Sequence, residues 1–299
     1  MSVSDPIAAL PPLRDVIRAA GLSARRSLGQ NFLLDLNLSK RIARAAGPLM
    51  GVTIIEIGPG PGGLTRALLL EGAARVIAIE RDERFRPALA EIAELSRGRF
   101  LPLFANALEA DYGSIAAESG ARRIVGNLPY NIATPLILRW LTQEPWPPWF
   151  DKVAVMVQRE VAERLIAEPG SKGYGRLSVI TQYRTAPKIL LTLPATVFTP
   201  PPKVASAFVQ MVPKPSSKDS VPAAYLEKVT AAAFGKRRKM LRSSLASLGE
   251  DTLSLLRGAD IDPAERAEKL TVSDFVKLAS YLWKREASRN PLISLSLPR

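Results

Sequence analysis

From about residue 52 the chain alternates short, β-branched apolar runs with longer stretches whose apolar positions recur every three or four residues. Continuous apolar runs of strand length suit strands covered on both faces, and the alternation predicts an open parallel sheet flanked by helices. Val52 to Ile57 reads as the first strand, followed by a Gly-rich turn and a helix over Leu64 to Leu70. Arg75 to Glu80 is the second strand, Phe85 to Leu95 mainly a helix entered near Pro87, and Arg99 to Ala105 the third strand. Ile124 and Val125 belong to a fourth strand and Val153 to Val157 to a fifth, with a helix over Pro135 to Leu141 between them. Helices over Val161 to Ile166 and Leu177 to Tyr183 flank a loop at Pro169 to Gly175. Lys188 to Leu193 and Ala205 to Val212 complete the sheet as an antiparallel, hairpin-like edge around the Pro-dense joint Phe198 to Pro202.

The polar, kinked stretch PKPSSKDSVP, Pro213 to Pro222, marks the expected domain boundary: residues 1–213 form an N-terminal helical extension with the sheet domain, and residues 214–299 a smaller helical domain. Near its end Thr271 and Asp274 can start a helix as a capping pair, with Val272, Phe275, Val276, Ala279, Leu282 and Trp283 along one face. No internal repeat is visible.

Composition narrows the chemistry. The 299 residues are 47% apolar, enough for a sizeable core, and contain neither Cys nor His. Disulfides, thiolate zinc sites, Cys nucleophiles and histidine bases are therefore excluded, and no metal centre is expected. Lys and Arg outnumber Asp and Glu by 41 to 28, a formal charge of +13 that suits a phosphate-rich partner. No apolar run is long enough to span a bilayer, and the opening MSVSDPIAALPPLRDVIRAAG lacks the pattern of a secretory signal. A cytoplasmic protein is the expectation.

The candidate chemistry sits at strand ends. EIGPGPGGLT, Glu56 to Thr65, closes the first strand, and its Gly58, Gly60 and Gly63 also satisfy the dinucleotide GxGxxG spacing. Two features favour S-adenosylmethionine over a dinucleotide. Glu56 would oppose a pyrophosphate but can help offset, directly or through water, the cationic amino-acid end of a sulfonium cofactor, and Pro59 and Pro61 stiffen the turn. Glu80 ends the second strand about 20 residues beyond Gly58, where a carboxylate can accept from both ribose hydroxyls. Asn106 follows the third strand, with its amide oxygen available to the exocyclic amine of the cofactor's adenine.

Asn127-Leu128-Pro129-Tyr130 directly follows the fourth strand and so opens toward the same crevice. An exocyclic amine on adenine is a poor nucleophile because its lone pair is delocalised into the ring. The side-chain oxygen of Asn127 and the carbonyl of Leu128 or Pro129 can accept its two N–H bonds and favour a pyramidal nitrogen, while Tyr130 stacks on the extruded base. No strong base is required, because the methylated nitrogen sheds its proton to water or a carbonyl.

With SLGQNFL at Ser27 to Leu33 and FTPPPKVASAF at Phe198 to Phe208, these motifs resemble, in order and spacing, the KsgA/RsmA family of small-subunit ribosomal RNA adenine dimethyltransferases. The resemblance runs from about Arg26 to Trp283. It implies an α/β, Rossmann-like class I S-adenosylmethionine-dependent methyltransferase sheet with a small C-terminal all-helical domain. It also implies dimethylation of N6 on two adjacent adenosines in the 3′-terminal hairpin of 16S ribosomal RNA in the immature 30S subunit. The cofactor would leave as S-adenosylhomocysteine and the enzyme would act as a monomer. By the same resemblance Asn31 and Leu33 border the cofactor, Gly58 and Glu80 bind it, Asn106 faces its adenine, Asn127 contacts cofactor and substrate, and Phe198 closes the target base opposite Tyr130. One departure stands out: the family commonly has Asp where this chain has Asn106.

For RNA, the densest basic run is Lys236, Arg237, Arg238, Lys239 and Arg242, joined by Arg159, Arg164 and Lys203. Gln30 either contacts the site or fixes the loop that covers it, and Arg159 either faces RNA or pairs with Glu163. Three rival functions share much of this pattern: a macrolide-resistance 23S ribosomal RNA adenine methyltransferase, a mitochondrial relative with a transcription role, and a ribosome-assembly factor whose catalysis is incidental.

Overall fold

The computed structural model describes residues 5–25, 28–216, 220–236, 238–249 and 251–289. Its strands are β1 (Phe32–Leu33), β2 (Thr53–Ile57), β3 (Arg75–Glu80), β4 (Phe100–Phe104), β5 (Arg123–Asn127), β6 (Lys152–Gln158), β7 (Thr185–Leu193), β8 (Phe198–Thr199) and β9 (Ser206–Pro213). Seven of them form one sheet in the order β4-β3-β2-β5-β6-β9-β7. The pairs from β4 through β6 are parallel, whereas β9 runs antiparallel to β6 and separates it from β7. The central strands carry the apolar runs read from the sequence: Ile54, Ile55, Ile57, Val76, Ile77, Ile79, Ile124 and Val125 are all essentially inaccessible. This is the open, Rossmann-like α/β sheet expected from the sequence, with an antiparallel edge. Order reverses between β2 and β5, so their carboxyl ends flank a switch point, where open α/β sheets bind ligands.

The helices Leu13–Ala19, Leu36–Ala45 and Tyr112–Ser119 were not bounded by periodicity, although an N-terminal helical extension was expected. Each has a local start signal instead. Asp35 caps Leu36–Ala45 by accepting from the Asn37 and Leu38 N–H groups, Asp111 caps Tyr112–Ser119 through the Ser114 N–H, and Pro12 precedes Leu13–Ala19. The helix expected from Phe85 begins as a 3₁₀ turn over Glu83–Phe85 and becomes α-helical at Arg86–Leu95, with Pro87 in its first turn.

A second, two-stranded sheet joins β1 to β8 in antiparallel register, Phe32 opposite Thr199 and Leu33 opposite Phe198. Two-residue strands carry no periodicity, which is why the sequence gives no sign of the pairing. Its effect is to bring the SLGQNFL and FTPPPKVASAF segments together.

The chain divides into two compact units: Met1–Leu136, Trp149–Ala162 and Lys188–Val212 make the first, and Ile137–Pro148, Glu163–Pro187 and Pro213–Arg299 the second. The first contains the sheet core, with Ile42, Leu68, Phe85, Ile92 and Phe208 fully buried. In the second, Val229, Leu245, Leu255, Phe275, Leu278 and Leu282 form a helical core in which the Phe234 and Phe275 rings stack at 5.3 Å. Helix Val272–Arg289 begins with the predicted capping box: Asp274 N–H donates to Thr271 Oγ1 at 3.2 Å, and Thr271 N–H to Asp274 Oδ2 at 3.0 Å. Among the described residues no helix is long and apolar enough to cross a membrane.

Candidate active site

The carboxyl ends of β2, β3, β4 and β5, closed by the loop before β1, line one crevice within the first unit. Asn31, Leu33, Gly58, Gly60, Glu80, Asn106, Asn127, Leu128, Pro129 and Tyr130 all face it. Gly58 and Gly60 hold φ of +66° and +54°, a region open chiefly to glycine, and Gly60 lies beneath Phe32, whose ring would be 3.5 Å from a Cβ. Gly63 has no room for a side chain at all, since a Cβ would sit 2.7 Å from the Leu33 carbonyl. The Gly-rich turn and the β1 loop are thus packed backbone to backbone, leaving the crevice between them.

Glu80 is buried, and burial raises its pKa above the ordinary carboxylate value against the opposing effect of backbone N–H groups. Gly60 N–H donates to its Oε2 at 3.0 Å and Asp82 N–H to its Oε1 at 2.8 Å. A carboxylate can accept more bonds than these, so acceptor capacity remains. Asp82 in turn accepts from Gln30 Nε2 at 2.9 Å and from Arg84, while Gln30 Oε1 accepts from the Arg25 N–H at 2.9 Å. Gln30 therefore ties the covering loop to the end of β3, and it lines the crevice as well.

Glu56 lies elsewhere than its expected role requires. It is 1% exposed, absent from the crevice lining, and accepts from Thr65 Oγ1 at 2.6 Å. Burial pushes its pKa up to about 8, so near neutral pH the carboxyl is mostly protonated, and its Oε1 has no partner. The cause is strand alternation: in β2 the side chain before the turn points into the packed interior, a placement that the position of Glu56 before Gly58 did not reveal.

Asn127 and Asn106 present amides to the crevice. Asn127 Nδ2 donates to the backbone carbonyl of Asn31 at 2.8 Å. Asn106 Nδ2 donates to Glu109 Oε1 at 2.6 Å, and its Oδ1 accepts from the Leu108 N–H at 3.1 Å. Beyond Asn127, the Pro129 carbonyl accepts from the Ile132 N–H at 3.1 Å, and Tyr130 is anchored by a 2.5 Å hydroxyl contact to Ser206. Burial raises the Tyr130 pKa, so the phenol stays neutral.

Phe198 is not brought to the lining. Paired through β8 with Leu33, it is 2% exposed and packs in the sheet-domain core, so in this structure its ring does not oppose Tyr130 across the crevice. Leu28, Gly29, Arg81 and Asn131 line the crevice as well. The neighbours of the named motifs were the available signal for them. Among the described residues no group of three or more acidic side chains is placed to hold a metal ion.

The basic candidates divide between the units. Arg159 and Lys203 are exposed on the first, and Arg164 belongs to the second although it shares helix Arg159–Leu165 with Arg159. Lys236, Arg238, Lys239 and Arg242 are all exposed around the end of helix Ala223–Gly235 and the start of Leu241–Ser244. Arg237 lies outside the described residues.

The chain is similar to known proteins in family, sequence and fold. A family model described as ribosomal RNA adenine dimethylase matches residues 21–284. The chain is 56% identical to a "Ribosomal RNA small subunit methyltransferase A" of Xanthobacter autotrophicus, over 91% of this chain and 93% of the relative. It is also 56% identical to the protein of the same name from Rhodopseudomonas palustris, over 94% and 97%. In fold it is similar to a dimethyladenosine transferase from Plasmodium falciparum, with TM-score 0.69, 24% identity and 85% and 96% of the two chains covered. It is similar again to the 23S ribosomal RNA methyltransferase ErmE, with TM-score 0.59, 22% identity and coverage of 84% and 99%.

Proposed function

The chain belongs to the ribosomal RNA adenine dimethylase family, and from that membership we infer that it is an S-adenosylmethionine-dependent 16S ribosomal RNA adenine-N6 dimethyltransferase acting in 30S biogenesis. The products are N6-dimethyladenosines at two adjacent positions of the 3′-terminal hairpin, with S-adenosylhomocysteine as by-product. The 56% identity to proteins named for the small subunit favours this substrate over 23S RNA, because the likeness to ErmE is one of fold alone.

The residues of the crevice suit the cofactor. Glu80 keeps acceptor capacity for ribose hydroxyls, Gly58 and Gly60 allow close backbone approach, and Asn31 and Leu33 close the opposite side. Glu56 is no part of that cradle: mostly protonated and held by Thr65 behind the Gly-rich turn, it supports the turn and not the cofactor's charge. When bound, S-adenosylmethionine supplies an electrophilic methyl group.

One observation carries the chemical reading: Asn127, which lines the crevice, commits its Nδ2 to the Asn31 carbonyl and so leaves Oδ1 as its acceptor for the substrate. The target amine donates one N–H to that oxygen. Since the Pro129 carbonyl already accepts from Ile132, the Leu128 carbonyl is the better acceptor for the second. With both N–H bonds held, the nitrogen lone pair is drawn out of conjugation. Tyr130, fixed by Ser206, offers a ring on which the flipped base stacks, a contact worth roughly 1 to 3 kcal/mol. After transfer the cationic nitrogen releases its extra proton to water or to a carbonyl, so the absence of histidine is no obstacle.

The exposed cations Arg159, Lys203, Lys236, Arg238, Lys239 and Arg242, with Arg164, are suited to ribosomal RNA phosphates. The enzyme acts as a monomer in the cytoplasm, the location following from its ribosomal substrate. The test is incubation of the full chain with labelled S-adenosylmethionine and unmethylated small subunits, followed by mapping of modified nucleosides. Label on adjacent adenosines near the 3′ end of 16S RNA is expected; label confined to large-subunit RNA, DNA or protein overturns the reading.

A further inference from the structure

We propose that Glu109 is a positioning residue that fixes the amide of Asn106 in one of its two flips and thereby makes the crevice select an amino-purine over an oxo-purine cofactor. The inference rests on the crevice being the S-adenosylmethionine site and assigns a role to a residue outside its lining.

A side-chain amide is nearly symmetric in shape but opposite in chemistry at its two ends. Turned one way it offers an acceptor, turned the other a donor. At Asn106 two neighbours remove the choice. Nδ2 lies 2.6 Å from the Glu109 carboxylate, which only accepts, and Oδ1 lies 3.1 Å from the Leu108 N–H, which only donates. A flipped amide would set oxygen against carboxylate and NH₂ against N–H, two repulsions in place of two bonds. The loop itself is held independently. The Asn106 carbonyl accepts from the Glu109 and Ala110 N–H groups at 2.9 and 3.0 Å, and Tyr112 Oη donates to the Ala107 carbonyl at 2.8 Å. Glu109 is exposed, so its side chain can be altered without disturbing a core.

With the amide so fixed, Oδ1 keeps a second lone pair for an exocyclic amine. A purine carrying a carbonyl there meets oxygen with oxygen. Glu109 thus takes over, from three residues further along the same turn, the orienting task that an aspartate at position 106 would not need, since a carboxylate accepts at both ends. Were position 106 Asp, the same Glu109 would be a like charge within hydrogen-bond distance, so its influence should change sign with the residue at 106.

The test is calorimetric binding of S-adenosylhomocysteine and of S-inosylhomocysteine to the full chain, with thermal melting of each variant as a folding control. The native chain is expected to prefer the adenosyl ligand. Glu109→Ala should cut that preference by about threefold to tenfold, as for loss of an exposed charge-assisted hydrogen bond. Glu109→Gln, which keeps an acceptor, should retain most of it. In an Asn106→Asp background Glu109→Ala should instead strengthen binding of the adenosyl ligand. Unchanged preference in Glu109→Ala, or an effect of the same sign in both backgrounds, overturns the role of Glu109 while leaving the cofactor site intact. Failure of the native chain to bind either ligand overturns the reading of the crevice, and this inference with it.

Discussion

Asn127 after β5 and Asn106 after β4 present the same functional group to the same crevice, yet they are held by opposite kinds of partner. Asn127 is half-buried and tied to a backbone carbonyl, that of Asn31, whereas Asn106 is tied to an exposed side chain, Glu109. A carbonyl of the main chain survives any substitution of its own residue, so the amide assigned to the methyl-accepting nitrogen is fixed by the fold. An exposed carboxylate can be replaced at little structural cost, so the amide assigned to cofactor selection is adjustable. On this reading the reaction is built into the backbone, and affinity for the methyl donor is set by side chains.

The largest expected effect falls on the backbone-held amide. Asn127→Ala removes a preorganised acceptor and should lower the single-turnover rate by about 10²- to 10³-fold, the usual cost of one such group. Affinity for S-adenosylhomocysteine should stay within about threefold, because Asn127 is read as acting chiefly on the amine. Should affinity fall as far as rate, Asn127 is part of the cofactor cradle and the contrast with Asn106 collapses. Next comes Glu80→Gln, which keeps shape but loses charge and one acceptor. A rise of about 10- to 100-fold in the dissociation constant, with little change in rate at saturation, is expected from weakened charge-assisted bonds to the ribose. Equilibrium binding and single-turnover rates separate the two variants.

How far the sequence led depended on what each residue needed in order to act. The strands β2, β3, β5 and β6 were legible because parallel strands buried on both faces must be apolar throughout, and Glu80, Asn106 and Asn127 were legible because they sit at or just beyond strand ends. Glu56 misled, since a one-residue change along β2 turns a side chain from the crevice into the core, and the spacing of the glycines does not record that. Phe198 misled for a different reason. Its motif was visible, but its direction is set by pairing with Leu33 from more than a hundred residues away in sequence, through strands too short to leave a pattern. The partners that orient the amides were equally hidden, because a backbone carbonyl such as that of Asn31 has no letter in the sequence.

A third perturbation acts on the carbonyl itself. Gly29 adopts φ +63°, and a Cβ there would lie 2.6 Å from Asn131 Oδ1 and 3.3 Å from the Tyr130 backbone N. Gly29→Ala should therefore shift the loop that carries the Asn31 carbonyl and lower the transfer rate by about tenfold, in line with the roughly 1 to 2 kcal/mol of a misplaced left-handed residue. Asn31→Ala, by contrast, leaves the carbonyl in place and should cost only about threefold or less in rate. Equal losses in the two variants would mean that the side chain of Asn31, and not its carbonyl, orients Asn127.

The smallest effect is expected at the latch that holds this loop to β3. Gln30 Nε2 reaches Asp82 Oδ2 at 2.9 Å, and Arg84 reaches the same oxygen at 2.6 Å. The Arg84 guanidinium, helped by Gln30, holds the Asp82 pKa down to about 2 from its ordinary 3.8. A carboxylate with a lowered folded-state pKa contributes stability that is fully present above the ordinary value and is lost as pH falls from there toward 2. The latch should accordingly stay closed throughout the neutral range and open only in acid. Gln30→Ala removes one neutral donor from an anchor that Arg84 continues to hold, so the dissociation constant for S-adenosylhomocysteine should rise by only about two- to fourfold. The ratio between variant and native affinity should be constant from about pH 5 to 9, because Asp82 stays ionised across that window in both. A ratio that changes within it would show that another titrating group governs closure of the loop. Exchange rates of the amides at residues 28–33, measured over the same range, would then report whether the loop opens with that titration or stays in place.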